Sequence, residues 1–180
     1  GRMDIGCVYD AFESATYTLE PLIDEEVFLV TAPDIWDGAI DEHGIAEEAL
    51  GIARLAELPL VMTSSRGAQA LHQKVGNAYG IQLNVVATLN SLPQIVEMVS
   101  RGSAFAVLGH GAVHRQVSQK RLALVRIENS ALSRTAYLVR RRSRHPSTAV
   151  SIVENLARSI LFETVDRYGI QGAVAGPASG

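Results

Sequence analysis

The chain has 180 residues, of which 47% are hydrophobic and 19% are charged, and its formal net charge is −3. This composition is that of a globular protein and excludes a disordered chain, and the negative charge argues against direct binding of DNA or RNA by this segment. The single cysteine, Cys7, excludes an internal disulfide framework and a cysteine-rich zinc site, and its apolar neighbours predict that it is buried. The sequence shows neither an apolar run of roughly 18 residues nor a signal segment, so we expect a cytoplasmic protein.

The first sixty residues predict extended segments followed by a weak helix. A strand is predicted at residues 5–9, and no segment before it could supply a pairing partner. This suggests that the sequence is a piece of a longer polypeptide. The next predicted elements are an extended pair at 16–23 and 27–31 with a bend at Glu25 and Glu26, a loop at 32–44, and a helix at 45–55 that Gly51 weakens.

The middle of the chain alternates apolar strands with capped helices. A strand at 58–62 leads into Thr63-Ser64-Ser65 and a helix that begins near Arg66 and ends at Gly80. A strand at 83–88 leads into Asn90-Ser91 and a helix with Pro93 in its first turn, which Gly102 ends. The run at 104–108 is continuously apolar, which is typical of a parallel strand covered on both faces.

The last third predicts two more strands and one long helix. The strands are at 122–127 and 135–139, and the helix begins at Pro146-Ser147-Thr148 and ends at Gly169. One face of this helix is apolar and is predicted to be buried; it carries Val150, Val153, Leu156, Ala157, Ile160, Leu161 and Val165. Residues 171–180 are predicted to be a flexible tail.

The polar clusters that follow two neighbouring strands predict a ligand-binding surface. One hydroxyl caps a helix and is worth about 1 kcal/mol to folding, but each site here offers a run, Thr63-Ser64-Ser65 in one and Thr88 with Asn90-Ser91 in the other. Both runs follow strand ends, the edge where open α/β sheets bind ligands, and helix N-termini there present unpartnered N–H donors. We therefore expect ligand contact at this edge, with plain helix capping as the alternative.

Sequence support for catalysis, metal or cofactor binding is weak. Ser64 and Ser65 lack the Gly-x-Ser-x-Gly surroundings of a hydrolase nucleophile. His110 and His114 have the i, i+4 spacing of zinc ligands, but glycines flank His110 and no Glu follows it. No phosphate-binding glycine motif is present, and the basic run Arg140-Arg141-Arg142-Ser143-Arg144 is best interpreted as a solvated turn. We expect no catalytic residue, no metal and no cofactor.

The order of these segments resembles the effector-binding domain of LysR-type transcriptional regulators over nearly the whole chain. The segments that carry the resemblance are Gly1-Arg2-Met3-Asp4-Ile5-Gly6, the run from Glu20-Pro21-Leu22 to Val30, Leu58-Pro59-Leu60-Val61, residues 92–108 with Arg101-Gly102, and residues 130–139 followed by Pro146-Ser147. The chain departs from the family at Gly109, where Pro is usual, and at Ser103 and Ala104, which replace a common Leu-Gly. It also lacks the winged helix-turn-helix and the first strand–helix–strand of the effector domain.

The resemblance implies a periplasmic-binding-protein-like α/β fold of type II with two lobes. Lobe I, incomplete at its N-terminus, would hold residues 1–31 and 134–170, and lobe II residues 32–133, with crossover segments near 30–32 and 133–135 acting as hinges. An effector would lie in the cleft between the lobes. The implied contacts are Tyr9, Asp10, Thr63, Ser64, Ser65, Thr88, Asn90, Ser91, Leu92 and, more weakly, His110.

The implied function is an allosteric sensor of a small molecule, which acts through a homodimer or tetramer on DNA-binding domains absent from this sequence. Few charges line the expected cleft, so the expected effector is a polar or weakly acidic metabolite. The alternatives are a free-standing solute-binding receptor of the same fold and, less favoured, an enzyme on this scaffold that would depend on Asp10 or His110.

Overall fold

The computed structural model of the chain describes residues 4–9, 12, 14–128, 132–142, 147–168 and 172–174. The strands and helices, in chain order, are β1 (Ile5–Tyr9), β2 (Tyr17–Thr31), α1 (Ile52–Glu57), β3 (Leu60–Thr63), α2 (Arg66–Tyr79), β4 (Val85–Leu89), α3 (Leu92–Ser100), β5 (Phe105–Gly109), α4 (His114–Ser118), β6 (Ala123–Arg126), β7 (Ser133–Arg141), α5 (Thr148–Tyr168) and β8 (Gly172–Val174). The chain divides into two compact units, unit 1 with residues 1–25 and 133–180, and unit 2 with residues 26–132.

Unit 1 is built on antiparallel strand pairs. β1 pairs with β7 in a register that places Cys7 opposite Leu138, β7 lies beside β2, and β8 pairs with the first part of β2. The predicted bend at Glu25 and Glu26 is wrong, because β2 is a single strand of 15 residues. Glu25 stays in the ladder opposite Gly172 of β8, so part of the predicted flexible tail is a strand.

Unit 2 contains the alternating strands and helices that the sequence predicts. β3 pairs in parallel with both β4 and β5, and the second part of β2 pairs antiparallel with β5 and β6. Helix α2 begins after the N-cap Ser65 and ends at Gly80, whose left-handed φ of 64° favours glycine. Helix α3 begins after Ser91 with Pro93 in its first turn, as predicted.

Alternate residues of β2 enter two hydrophobic clusters of unit 2. Phe28 and Val30 pack in one cluster with α3 residues such as Ile95 and Val99. Val27 and Leu29 pack in the other, with Leu55 of α1 and Val75 of α2 among its members. This period of two is the geometry of a strand that is covered on both faces.

The predicted helix at 45–55 is wrong over most of its length, because its apolar residues are buried by strand-like pairing. Ile45 bridges to Leu124 and Leu50 bridges to Ile127, both in parallel. The Leu50 N–H donates to the Arg126 carbonyl at 2.7 Å. Helix α1 begins only after Gly51 and is six residues long. A pairing partner more than seventy residues away therefore overrides the local helical spacing.

The predicted buried face of the last helix is also wrong in part. Val153, Leu156 and Ile160 on α5 are about half exposed, while the charged residues between them take the sheltered positions. The Arg158 guanidinium contacts Glu20 of β2 at 2.6 Å and Glu154 at 3.0 Å. Ion pairing with the strands of unit 1 thus turns the apolar stripe of α5 outward.

Two further features differ from the sequence predictions. Cys7 is exposed on β1, because the side chains of a strand alternate between its two faces whatever their hydrophobicity. Beyond β5, the run from His110 forms a short 3-10 turn and then α4, neither of which was predicted. No helix in the part of the chain that the structure describes is long and apolar enough to cross a membrane.

Candidate functional site

The Thr63-Ser64-Ser65 cluster lies at the carboxyl end of β3, where the chain turns into α2. The Ser65 hydroxyl accepts the Ala68 N–H at 3.2 Å, so it caps the helix. It is also 2.7 Å from the Thr63 hydroxyl, to which it is hydrogen-bonded. Thr63 and Ser65 are therefore held in place by each other and by the first turn of α2.

The second cluster lies at the carboxyl end of β4, where the chain turns into α3. Thr88 and Asn90 are exposed, whereas Ser91 and Leu92 are partly buried. Ser91 stands at the N-cap of α3, but its hydroxyl accepts no capping hydrogen bond. A partly buried N-cap hydroxyl that leaves the helix N–H groups open has donor and acceptor capacity to offer a ligand.

The parallel pairing of β3 and β4 brings the two clusters together in unit 2. Thr63 is in register with Leu89, and the Ser64 N–H donates to the Leu89 carbonyl at 3.1 Å. One residue further on, the Ser64 hydroxyl donates to the Asn90 side-chain carbonyl. The hydroxyl and amide groups at the starts of α2 and α3 therefore form one continuous polar surface.

The electrostatics of this surface favour a ligand with negative or partial negative charge. Neither α2 nor α3 has an acidic residue in its first turn, so the positive ends of both helix dipoles are uncompensated there. Helix geometry leaves the first-turn N–H groups without backbone acceptors, apart from Ala68, which Ser65 caps. The surface offers mainly donors, supplemented by hydroxyls that can also accept.

His110 follows β5 and is buried, with 6% of its surface exposed. Its ring lies edge-to-face against Phe28, with 6.3 Å between the ring centroids. Phe28 is itself fully buried in a core cluster of unit 2. His110 is thus built into the interior of unit 2, and His114, four residues on, is held through its Nδ1 at 3.0 Å from the Gly111 carbonyl oxygen.

The remaining candidates belong to unit 1. Tyr9 ends β1, and Asp10 lies outside the described residues. The Arg134 guanidinium stacks over the Tyr9 ring, 3.8 Å from its centroid. Nε and Nη2 of Arg134 both contact one oxygen of Glu25, at 2.8 and 2.7 Å, and Tyr9 is hydrogen-bonded to Glu25 as well.

Sequence reasoning missed Glu25 and Arg134, which form an ion pair in unit 1. Glu25 has only 4% of its surface exposed, and a buried carboxylate needs a partner of opposite charge. The sequence signal for this ion pair is a glutamate in the middle of an extended segment. We interpreted that glutamate as the mark of a bend. Its partner is 109 positions away in the sequence, so no local pattern could identify it.

We predict that Tyr9 ionises unusually late. Partial burial of the residue, which is 46% exposed, followed by the negative charge of Glu25, raises the pKa of Tyr9 from 10.0 to about 12. The unfolded chain therefore loses this proton first, and the contribution of Tyr9 to stability falls as the pH rises from 10 towards 12. Ultraviolet difference titration of the wild-type chain against Tyr9→Phe should isolate a phenolate transition near pH 12, and a Tyr9 transition near pH 10 would contradict the prediction.

Comparisons with known proteins identify the family. The family model described as the LysR substrate binding domain matches residues 1–159. No curated protein matches the sequence. The CcmR regulatory domain of Synechocystis PCC6803, solved in complex with 2-PG, aligns with a TM-score of 0.69 and 15% identity over 87% of this chain and 73% of that chain.

Two further solved structures show the same fold. The effector-binding domain of QuiR in complex with shikimate has a TM-score of 0.66 and 16% identity, over 87% of this chain and 71% of that one. Full-length HypT from Salmonella typhimurium has a TM-score of 0.60 and 15% identity over 87% of this chain, which spans 51% of that regulator. The predicted type II periplasmic-binding-protein-like α/β fold is thereby confirmed, and the chain belongs to the LysR substrate-binding domain family as an effector-binding regulatory domain.

Proposed function

We propose that the effector of this domain binds at the polar surface formed by the starts of α2 and α3. The observation that carries the proposal is the hydrogen bond between Ser64 and Asn90, which joins two ligand-accessible helix N-termini into one surface. Thr63, Ser65, Thr88, Ser91 and Leu92 complete the set that we assign to the effector. Tyr9 and Asp10, which belong to unit 1, remain predicted effector residues, and His110 is proposed to support the surface from the core.

The proposed effector is a polar or weakly acidic small molecule. Uncompensated helix N-termini and hydroxyl groups favour carboxylate, phosphate or hydroxyl oxygens over cations. The ligands named for two structural relatives, 2-PG in CcmR and shikimate in QuiR, belong to those proteins, and shikimate has the carboxylate and hydroxyl groups that such a surface would accept.

Effector binding is proposed to act through the two places where the chain passes between the units, at residues 25–26 and 132–133. The hinge predicted near residues 30–32 lies within unit 2 instead, where Val30 and Thr31 are buried and pair with β6. A shift from 1:99 to 99:1 between two states needs about 5.5 kcal/mol of differential affinity. A metabolite bound at millimolar to micromolar concentration has about 4 to 8 kcal/mol in total. Most of the binding energy must therefore come from contacts that one state alone provides.

The proposed output is control of DNA binding in a larger cytoplasmic regulator. The DNA contact would come from a winged helix-turn-helix outside this sequence, because a segment with a net charge of −3 is poorly suited to bind phosphates by itself. The chain spans 51% of full-length HypT, which leaves room for such a domain in a regulator of that length.

Self-association is proposed to use the exposed apolar stripe of α5. Ile152, Leu156 and Ile160 recur every four residues and are more than half exposed. A two-fold axis through Leu156, with the two helices antiparallel, would place Ile152 opposite Ile160. The neighbouring exposed side chains Asn155 and Ser159 bring no like charges together.

The substitution Leu156→Glu should shift the chain from dimer to monomer in sedimentation velocity, because it places a charge at the centre of this interface. Glu163→Gln, on the same helix, should leave the dimer unchanged. A Leu156→Glu chain that still sediments as the dimer would exclude this face.

The test of the effector site is ligand occupancy in the chain as purified. Native mass spectrometry identifies any co-purified metabolite, which is then titrated calorimetrically into wild-type, Ser64→Ala and Asn90→Ala chains. Loss of one hydrogen bond to a charged group is worth roughly 1.5–3 kcal/mol, so each variant should bind at least about tenfold more weakly.

The matched control is Asn77→Ala, which removes an exposed asparagine from the last turn of α2, at the opposite end from the polar surface. This variant should bind the metabolite as the wild-type chain does. Equal affinities for the wild-type, Ser64→Ala and Asn90→Ala chains would rule out the polar surface as the effector site.

A further inference from the structure

The surface of unit 1 has a shallow, wide-open cavity that lies outside the residues assigned to the effector. Its volume is about 660 Å³, and it is lined by Phe12, Ser14, Ala15, Tyr17, Leu19 and Arg142. These residues come from the segment that enters β2, from the first residues of β2 and from the residue that follows β7. The basic run that contains Arg142 is predicted from the sequence to be a solvated turn.

The polar groups of this cavity are fixed by backbone contacts. The Ser14 hydroxyl accepts the N–H groups of Thr16 and Tyr17, each at 3.1 Å, so its own proton remains available. The Arg142 N–H donates to the Thr16 carbonyl at 2.7 Å, and the Arg142 Nε donates to the Tyr17 carbonyl at 3.1 Å. The guanidinium is thereby anchored through Nε, with both terminal nitrogens left to donate.

Arg142 is the charged residue among the described residues that line the cavity. Arg140 is 3.7 Å from Glu154, but Arg141 and Arg142 make no ion pair with any described carboxylate. None of the described lining residues is acidic. Two adjacent arginines without partners are notable in a chain whose net charge is −3, and a guanidinium is well suited to bind a carboxylate through two parallel hydrogen bonds.

The other part of the lining is apolar and aromatic. The Phe12 side chain is 45% exposed, and the Tyr17 ring, Leu19 and Ala15 complete this part. Exposed aromatic and aliphatic surface beside a fixed cation suits a ligand with an apolar body and an anionic end. A free inorganic anion would use the guanidinium alone and leave this surface in water.

We propose that unit 1 binds a second ligand, an aromatic or similarly apolar carboxylate, in this cavity. Its carboxylate accepts hydrogen bonds from the terminal nitrogens of Arg142 and from the Ser14 hydroxyl. Its ring packs against Phe12 and Tyr17. The regulatory domain then has two ligand sites of different chemistry, with a donor-rich polar surface in unit 2 and an arginine-anchored aromatic site in unit 1.

The test uses phenylacetate, phenylacetamide and acetate as probes in equilibrium titrations of the whole chain, followed by calorimetry and by ligand NMR. Phenylacetate should bind saturably, whereas phenylacetamide, which lacks the charge, and acetate, which lacks the ring, should each bind at least about tenfold more weakly. Equal binding of phenylacetate and phenylacetamide, or no saturable binding of phenylacetate, would overturn the proposal.

The matched variants are Arg142→Gln and Arg141→Gln, which remove the same charge from neighbouring positions. Arg142→Gln should weaken phenylacetate binding at least about tenfold, whereas Arg141→Gln, whose side chain does not line the cavity, should stay within about twofold. Phe12→Ala, a change at an exposed position, should also weaken binding while circular dichroism stays that of the wild-type chain. Loss of phenylacetate binding in Asn90→Ala instead of Arg142→Gln would place the probe on the unit 2 surface and refute the second site.

Discussion

Replacing Phe28 by alanine is expected to destabilise the chain by about 4 kcal/mol, since deletion of a fully buried phenylalanine removes its transfer free energy and leaves a cavity. Phe28 is completely buried, pairs with Leu108 of β5 and Arg126 of β6, and supports the ring of His110. Urea denaturation followed by circular dichroism measures the change in the free energy of unfolding.

The control for this prediction is Phe12→Ala, the same substitution at a phenylalanine that is 45% exposed. It should cost no more than about 0.5 kcal/mol, as is usual for surface positions. Similar losses for Phe28→Ala and Phe12→Ala would show that β2 does not form the centre of unit 2.

Arg134→Met is expected to destabilise the chain by about 3 kcal/mol, because it leaves the Glu25 carboxylate buried without its cation. The side chain of Glu25 is only 5% exposed and that of Arg134 26% exposed, so water can replace little of the lost interaction. Methionine keeps much of the length of the arginine stem, which confines the change mainly to the charge. The free energy of unfolding in urea at neutral pH is the measurement.

A neighbouring ion pair provides the comparison. Arg126 and Glu26 are 3.9 Å apart, with side chains 45% and 34% exposed, so Arg126→Met should cost about 0.5 kcal/mol or less. If Arg134→Met were no more costly than Arg126→Met, the contact with Glu25 would count as an ordinary surface pair.

Local sequence patterns were sufficient to predict the bounds of a helix where the helix carries its own capping residues. Ser65 and Gly80 delimit α2, and Ser91 with Pro93 opens α3, so their positions follow from capping chemistry that acts within a few residues. The same reasoning failed at residues 45–55, where apolar spacing is shared by a helix and by a segment that pairs irregularly with β6 and the residues after it.

Amphipathic patterning also fails when partly buried charged side chains occupy the inner face of a helix. The apolar spacing of α5 predicts an inward Leu156, but Arg158 and Glu154 form ion pairs with Glu20 and Arg140. Partners on β2 and β7 cannot be identified from the helix sequence. The sequence can thus predict that an apolar stripe exists without showing whether it faces its own chain.

The residues of the candidate site could be predicted from the sequence, but the hydrogen bonds between them could not. The rule that parallel strands end at one edge predicts that Thr63-Ser64-Ser65 and Asn90-Ser91 are near each other, and the structure brings them together. The register of β3 against β4 decides the role of each hydroxyl. Ser65 caps α2, Ser91 makes no capping bond, and Ser64 is hydrogen-bonded to Asn90 of the other cluster. The Arg142 cavity had no sequence signal, because its lining joins residues separated by more than a hundred positions.

The hydrogen bond between Ser64 and Asn90 occupies donor and acceptor groups that a bound ligand would otherwise use. To engage either side chain fully, an incoming molecule has to exchange this internal contact, whose net worth is roughly 0.5–1.5 kcal/mol, for its own. A compound that offers only an acceptor, or only a donor, leaves one partner unsatisfied, whereas a compound with both groups side by side replaces the bond at little net loss. Discrimination between closely related metabolites would then depend on this exchange and less on how much of each molecule is enclosed.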